Sequence, residues 1–369
     1  GAEARAQGAN LGAGICVNIA YSPGWGRVQE SYGEDPVLVG SMGAAAVDGI
    51  NPWVMSCVKH FALNSMEESR FRVDVRVAED VLREVFLPQF RTVVEAGVDC
   101  VMSAYNSVNG TWAGQNQHLL TEILRGDWDF TGFVMTDFIW GLRDPVGSVA
   151  AGQDLEMPFR QQRAASLTGA LADGSLKRDH IELAAARQLS SQIRLALRAR
   201  PKPPPGVVAS AEHRRLARET ACRAAVLLRN RVCDGIAALP LAEASLSRIA
   251  ILGPLADARN EGDVGSSMVS PPESVTILAG LRERLRNRLR HVGGTGRAPA
   301  VAAARGADAA VVVVGLSSVD EGESMIGVDT ASTQLLGGIA RFRVVAAAMV
   351  RIAARVATLK KFGGDRRDL

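Results

Sequence analysis

The sequence lacks closely spaced cysteines and long apolar runs. Its cysteines (Cys16, Cys57, Cys100, Cys222 and Cys233) are scattered without any CxxC pair. This arrangement argues against a zinc site and against a disulfide scaffold, and it is typical of a reducing compartment. The longest apolar stretch, residues 301–316, is interrupted by Arg305 and Asp308. It falls short of the roughly 18 residues that span a bilayer, so we expect no membrane partner.

Charge of one sign is also lacking. The net charge is +3 over 369 residues, and arginines are spread along the chain without an evident basic face. Nucleic-acid binding therefore has little support. The Gly-rich loop GDVGSS (262–267) has no Lys-Ser/Thr after it, so it lacks the phosphate-binding lysine of a P-loop, and nucleotide binding is poorly supported.

The start of the chain carries no targeting signal. It reads GAEARAQGAN, a helix-like stretch without the basic and apolar regions of a signal peptide. We therefore expect a cytoplasmic location for the chain as given, although a leader further upstream is compatible with this reading. The sequence carries no signal for an oligomeric state.

The length and one proline-rich stretch predict two domains. A chain of 369 residues with 47% hydrophobic and 22% charged residues is globular and too long for one ordinary core. The stretch PKPPP (201–205) forms a stiff, extended linker. We place one domain at 1–200, the linker at 201–210 and a second domain at 211–369.

The first domain alternates short apolar strands with helical patterns, which indicates an α/β fold with a parallel sheet. Helical spacing of apolar residues covers 36–50, 78–96 and 178–198. In each case polar residues follow the strand directly, as at the rim of a βα barrel. The predicted strands are 14–20, 53–58, 98–104 and 132–136.

Asp137 stands where the strand GFVM (132–135) ends. The carboxyl ends of parallel strands are where such folds place their chemistry. An Asp after a strand more often caps the next helix, so the position alone does not decide its role. Polar groups at the same end of the other strands favour a catalytic role.

Several segments together resemble glycoside hydrolase family 3, the retaining β-glucosidases and their relatives. The resemblance covers nearly the whole chain, and its specificity comes from the order of many motifs. The matching stretches are GWGRVQESYGEDP (24–36), VKHFALN (58–64) with Glu67 and Arg70, VMSAYNSVNG (101–110), LLTEILRGDWDFTGFVMTDF (119–138), AGQDLEMP (151–158), AVLLRN (225–230), ALPL (238–241), GDVGSS (262–267), DEGE (320–323) and GGDR (363–366).

The resemblance implies an incomplete (β/α)8 barrel, the TIM-like fold, followed by part of an α/β sandwich domain. It also implies a retaining hydrolase for terminal β-D-glucosyl or β-xylosyl residues, working with two carboxylates. Asp137, in TDF at the family's SDW motif, is the implied nucleophile. Glu321, which precedes Gly322 in DEGE, is the implied acid/base, and Glu323 is its rival. Residues 324–362 separate DEGE from GGDR, which is longer than the family's compact motif. The alternative reading of Glu321 is a solvated loop carboxylate.

Family sugar-binding positions map onto Arg27, Lys59, His60, Arg70 and Tyr105. Taken singly, His60 and Tyr105 would read as structural residues; taken together at one rim they indicate a sugar site. In this chain Lys59-His60 is followed by Phe-Ala-Leu-Asn, where the N-acetylglucosaminidase branch has a Gly-His-Gly loop. His60 is therefore read as a sugar ligand rather than an acid/base. The implied partners are small β-glycosides or oligosaccharides, with no metal and no organic cofactor.

The match also departs from the family. The family barrel begins about two βα units before Gly1, and its RDP motif is Tyr21-Ser22-Pro23 here. From the resemblance we also expect most of the second domain's sheet, and the C-terminal β-sandwich common in the family, to be missing from this chain. The alternative reading is therefore a catalytically impaired or inactive sugar-binding remnant. Glucoside, xyloside and arabinoside preference stay open, since one pocket contact can decide among them.

Overall fold

The computed structural model describes residues 1–233, 235–262, 265–318, 320–323 and 364–366. These residues form two compact units. The first contains 1–207 together with 265–267, 320–323 and 364–366, and the second contains the described residues of 208–262 and 268–318. The break after Val207 falls inside the proline-rich stretch 201–210. The three short segments group with the first unit, although the sequence had assigned them to the second domain.

The first unit alternates helices and strands over most of its length. Its main elements are α1 (Ala2–Ala6), β1 (Leu11–Cys16), α2 (Pro36–Ile50), β2 (Met55–Phe61), β3 (Asp74–Val75), α3 (Glu79–Val81), a π-helical turn (Leu82–Phe86), α4 (Pro88–Glu95), β4 (Cys100–Ser103), β5 (Ser107–Val108), β6 (Thr111–Trp112), a π-helical segment (His118–Asp127), β7 (Phe133–Met135), α5 (Pro145–Ala150), α6 (Arg163–Ala172) and α7 (Arg178–Arg198).

The main sheet has four parallel strands in the order β1-β2-β4-β7. Cys57 pairs with Cys100, and Cys100 pairs with Phe133. A further parallel bridge joins Met135 to Leu155 beside β7. Because all the strands run the same way, their carboxyl ends lie along one edge of the sheet, as the sequence predicted.

Most predicted elements of this unit are confirmed, two of them to the residue: α2 at 36–50 and α7 at 178–198. Asp35 explains where α2 begins, because its carboxylate accepts the Val37 N–H at 2.8 Å and Pro36 occupies the first turn. The predicted helix 78–96 is broken near Leu87. Pro88 follows, and it has no N–H to continue the ladder.

The first two strands end differently from their predicted bounds. Strand β2 continues through Phe61, so Lys59 and His60 lie within it. Strand β1 stops at Cys16 rather than at residue 20. Beyond it, the Asn18 side chain donates to the His60 carbonyl at 2.9 Å and accepts the His60 N–H at 2.8 Å. A side chain thus takes the hydrogen bonds that a continued strand would have supplied.

The second unit has a small parallel sheet in which β10 (Ile249–Leu252) lies between β11 (Leu289–Val292) and β12 (Ala309–Val312). It also has an antiparallel hairpin of β8 (Val232–Cys233) with β9 (Ile236–Ala237). Its buried core is built on Ile249, Ile251, Leu278 and Leu285. Its elements are α8 (Ala211–Ala224), β8 (Val232–Cys233), β9 (Ile236–Ala237), β10 (Ile249–Leu252), α9 (Ile277–Leu285), β11 (Leu289–Val292), α10 (Arg297–Arg305) and β12 (Ala309–Val312).

Within the described ranges, no helix is both long enough and apolar enough to cross a bilayer.

Helix α2 approaches the sheet and α4 closely through a glycine. A Cβ atom added at Gly43 would lie 2.6 Å from Val93 Cγ2 and 2.9 Å from Val17 Cγ1. Both neighbours are buried and β-branched, so neither can turn aside easily. A Cβ at Gly49 in the same helix would meet nothing within 4 Å. Position 43 therefore has no room for a side chain, whereas position 49 can accept one.

We expect Gly43→Ala to lower the free energy of unfolding by about 1–3 kcal/mol through overpacking. Gly49→Ala is the matched control and should be neutral or stabilising by up to about 1 kcal/mol, because Ala is the better helix former. Urea denaturation of both variants makes the comparison. Equal effects of the two substitutions would contradict the close packing of α2.

Candidate active site

The candidate site collects charged and polar side chains at the carboxyl ends of the main-sheet strands. Arg27 lies beyond β1, Lys59 and His60 lie in the last residues of β2, Tyr105 follows β4, and Asp137 follows β7. All five are buried despite their polarity. Buried charges must be compensated by partners, so the geometry of those partners defines the site.

Arg27 is held by a carboxylate that sequence reasoning missed. Its Nε lies 2.5 Å from Glu30 Oε1, and its Nη2 donates to Glu30 Oε2 at 2.9 Å. Lys59 Nζ is 3.2 Å from the same Oε2. Glu30 therefore orients two cations at once. Its spacing of three residues from Arg27, in the short helix Val28–Glu30, is the sequence signal that could have found it.

Arg70 is the second arginine of the cluster. Its Nη1 is 3.0 Å from Glu67 Oε2 and 3.1 Å from Glu323 Oε1. Its guanidinium also lies over the Tyr105 ring, 5.0 Å from the centroid. Arg27 Nη1 reaches the same Glu323 oxygen at 3.5 Å. Glu323 thus sits between two arginines that the sequence assigned to sugar binding.

Burial would raise the pKa of Glu323, but the charges of Arg27 and Arg70 and the N–H of Ser266 lower it to about 2. Glu323 is therefore ionised at neutral pH. Ser266 belongs to the GDVGSS loop, so that motif supplies a donor to a carboxylate here.

Glu321 lies in a different setting. Its Oε2 is 3.4 Å from Arg366 Nε, and its side chain is partly exposed. Gly322 and Gly364 form an antiparallel bridge, with the Gly364 N–H donating to the Gly322 carbonyl at 2.8 Å. DEGE and GGDR are therefore adjacent in space although 324–362 separate them in sequence; residues 324–363 lie outside the described ranges.

Asp365, in GGDR, forms hydrogen bonds with the loops that carry Arg27 and Arg70. Its carboxylate accepts the backbone N–H groups of Gly26 at 3.0 Å, Glu67 at 2.9 Å and Glu68 at 3.0 Å. The loops that carry Arg27 and Arg70 are thereby tied to one acid. The sequence identified GGDR as a motif but assigned no role to Asp365.

The two carboxylate oxygens of Asp137 have different surroundings. Oδ1 accepts the Phe138 N–H at 2.7 Å, whereas Oδ2 is buried and receives no hydrogen bond from the described residues. Tyr105 packs nearby and donates its hydroxyl to the Phe138 carbonyl at 2.7 Å. Burial raises the pKa of Asp137, and the charges of Arg27, Arg70 and Lys59 act against that rise.

His60 lies beside this free oxygen, with its Nε2 3.7 Å from Asp137 Oδ2. Burial lowers the pKa of His60 well below its ordinary value, and the charges of Arg27, Lys59 and Arg70 lower it further. His60 is therefore a neutral imidazole. The sequence did not single out Asn18, which contacts His60; a lone polar residue in the apolar run GICVNIA was the available signal.

The cluster suits the recognition of a polyhydroxylated ligand beside the Asp137 carboxylate. Arginine, lysine and tyrosine supply donors, and the carboxylates supply acceptors. Within the described residues, no group of three or more His, Cys, Asp or Glu side chains is placed to hold a metal ion.

Comparison with known proteins identifies the relationship. Residues 1–191 match the glycosyl hydrolase family 3 N terminal domain, and residues 225–354 match the C-terminal domain of the same family. The chain belongs to glycosyl hydrolase family 3. The suspected resemblance is confirmed, and so is the α/β fold class, a partial form of the family's barrel and sandwich.

The curated relatives of this family member are mostly β-glucosidases. The chain is 36% identical over 300 residues to a β-glucosidase of Rhizobium radiobacter, covering 80% of this chain and 36% of that protein. It is 32% identical over 290 residues to an exo-α-(1→6)-L-arabinopyranosidase of Bifidobacterium breve, covering 74% and 36%. The chain therefore spans about a third of the length of these relatives.

Solved structures agree. β-Glucosidase 3B of Thermotoga neapolitana, in complex with α-D-glucose, matches 78% of this chain and 40% of its own with 32% identity and a TM-score of 0.69. The β-D-glucoside glucohydrolase of Trichoderma reesei matches 92% of this chain and 53% of its own, with 25% identity and a TM-score of 0.79.

We expect Asp137→Asn to stabilise the protein at neutral pH. An acid whose pKa is raised by folding holds its proton more tightly in the folded state, so its ionisation costs stability. The amide removes that cost at pH 7. The advantage over wild type should shrink as the pH falls towards about 4, where the unfolded carboxyl also gains its proton. Urea denaturation across this range tests it, and an Asn variant less stable than wild type at pH 7 would contradict the raised pKa.

Proposed function

We propose that this chain is the catalytic part of a retaining glycoside hydrolase that cleaves terminal, non-reducing β-D-glucosyl or β-xylosyl residues by double displacement. The proposal rests on Asp137 Oδ2, which is buried at the strand ends near the charges of Arg27, Lys59 and Arg70 and receives no hydrogen bond from the described residues. The similarity of this chain to several proteins named β-glucosidases supports it.

Asp137 would act as the nucleophile. One oxygen is anchored by the Phe138 N–H and the other carries an uncommitted lone pair, which is the arrangement that an attack on an anomeric carbon needs. The surrounding cations favour the ionised form that attacks. Water would then release the sugar from the glycosyl-enzyme with the same overall stereochemistry as the substrate.

Position favours Glu323 over Glu321 as the acid/base. Glu323 contacts Arg70, and the Arg70 guanidinium lies over the Tyr105 ring. Burial is the largest cause of the raised pKa of Tyr105, and the charges of Asp137 and Glu323 raise it further. Both carboxylates therefore act on the same tyrosine. Glu321 instead contacts Arg366. The sequence had placed Glu321 first, because Glu323 carries no obvious distinction until its contacts with the arginines are seen.

Glu323 must gain a proton before it can act as an acid. Its low pKa comes mainly from Arg27 and Arg70, which the family resemblance assigns to sugar hydroxyls. A sugar that takes over those donors would weaken their hold on Glu323 and raise its pKa towards the working range. A proton taken up from water on ligand binding could then pass to the leaving oxygen.

The substrate class follows from the same donors. Arg27, Lys59, His60, Arg70 and Tyr105 would bind the hydroxyls of the terminal sugar, in line with the glucose complexes of β-glucosidases of Thermotoga neapolitana and Kluyveromyces marxianus. Glucose and xylose differ by one hydroxymethyl group, so the preference between them is a small difference in binding free energy.

The stereochemistry of the first product tests the proposal. Hydrolysis of p-nitrophenyl β-D-glucoside and β-D-xyloside, followed by ¹H NMR of the anomeric proton, should show the β-sugar first and the α-sugar only after mutarotation. Asp137→Asn should abolish release while remaining folded. An α-sugar as first product, or full activity in Asp137→Asn, would overturn the mechanism. Absence of turnover by the folded wild-type chain would favour the inactive sugar-binding remnant.

The acid/base assignment has its own test. We expect Glu323→Ala to lower kcat by about 10²- to 10⁴-fold on a substrate with a poor leaving group, since general acid catalysis contributes that much. Azide should restore turnover with an activated leaving group and give β-glucosyl azide. Glu321→Ala is the matched control and should lose less than about tenfold. Azide rescue confined to Glu321→Ala would reverse the assignment.

A further inference from the structure

The environment of His60 fixes which of its ring nitrogens carries the proton. Asn18 is buried beside His60. Its side-chain amide makes two hydrogen bonds with the backbone of His60. Its Nδ2 donates to the His60 carbonyl at 2.9 Å, and its Oδ1 accepts the His60 N–H at 2.8 Å. Turning the amide over would set N–H against N–H and carbonyl against carbonyl, so its orientation is determined.

The same Oδ1 lies 2.9 Å from His60 Nδ1. An amide oxygen only accepts hydrogen bonds, so Nδ1 must carry the hydrogen. A neutral imidazole has one N–H, and Nε2 is therefore left with a lone pair. That lone pair lies on the side of Asp137 Oδ2, 3.7 Å away.

We propose that Asn18 is a positioning residue that locks His60 in the Nδ1–H tautomer, so that Nε2 acts as a hydrogen-bond acceptor beside the free oxygen of Asp137. This arrangement withholds a donor from Oδ2 and so preserves its lone pair for attack. It also leaves two acceptors facing one another, a place that suits a ligand hydroxyl donating its hydrogen to Nε2. The role of that hydroxyl rests on the proposed sugar hydrolysis; the tautomer does not.

The charges around the ring agree with this assignment. The groups acting on His60 are the cations Arg27, Lys59 and Arg70, which disfavour imidazolium, and the carboxylate of Asp137 beside Nε2. With the ring neutral, the choice of tautomer falls to the Nδ1 contact. The alternative Nε2–H form would aim a donor at Asp137 and leave Nδ1 facing an oxygen that cannot donate.

Long-range ¹H–¹⁵N NMR of ¹⁵N-histidine-labelled protein reports the tautomer directly. The chain has five histidines, and His60→Gln assigns the His60 signals by their loss. We expect Nδ1 of His60 to show the pyrrole-type shift and Nε2 the pyridine-type shift. A pyrrole-type Nε2 in the wild-type protein would overturn the proposal, whether or not the protein hydrolyses glycosides.

Two variants at Asn18 separate positioning from general structure. Asn18→Asp keeps an acceptor for Nδ1–H and should keep the Nδ1–H signature, with His60 titrating at higher pH because of the added charge. Asn18→Leu removes the acceptor and should give mixed tautomers. Asn116→Leu is the matched control, since Asn116 is also a buried, hydrogen-bonded Asn but contacts Leu119 and Val108 instead. An unchanged tautomer in a folded Asn18→Leu would contradict the role.

Activity adds a distinguishable readout. If the proposed hydrolysis holds, Asn18→Leu should lower kcat/KM by about tenfold, the loss expected for one displaced hydrogen bond to the ligand, and Asn116→Leu should not. The expected tautomer in an inactive wild-type chain would support the positioning role and count against the hydrolysis. An active chain with the opposite tautomer would do the reverse.

Discussion

The ion pairs of Arg27 and Arg70 are the interaction on which the site depends. Both guanidiniums are almost fully buried, and each contacts the same oxygen of Glu323. Removing one partner of a buried pair costs about 3–5 kcal/mol, because the remaining charge is left uncompensated. Glu30, Glu67 and Glu323 are therefore needed to keep the arginines in the site before any ligand arrives.

These ion pairs also affect the pKa values of the carboxyl groups in the site. A retaining mechanism needs a nucleophile with a low pKa and an acid with a high pKa. The structure gives the opposite order for Asp137 and Glu323, because burial dominates at the first and two arginines dominate at the second. In the proposed mechanism, the substrate therefore has to complete the site. The sugar would take over donors that now hold Glu323.

The sequence predicted those parts that local patterns control. The bounds of α2 and α7 follow from caps and helical spacing, and Asp137 follows from its place after an apolar strand. Asn18, Glu30 and Asp365 could not be assigned roles, because each acts on partners that folding brings together. The choice between Glu321 and Glu323 is of the same kind: two residues apart in sequence, they face Arg366 and the Arg27–Arg70 pair respectively.

The central claim is that Asp137 attacks the anomeric carbon. Incubation with 2-deoxy-2-fluoro-β-D-glucosyl fluoride, intact-mass spectrometry and peptide mapping test it directly, since the fluorine slows release of the glycosyl-enzyme. One added fluoroglucosyl group is expected, located on Asp137 and absent from Asp137→Asn. A stable adduct on another carboxylate, or no adduct on protein shown to be folded, would contradict it.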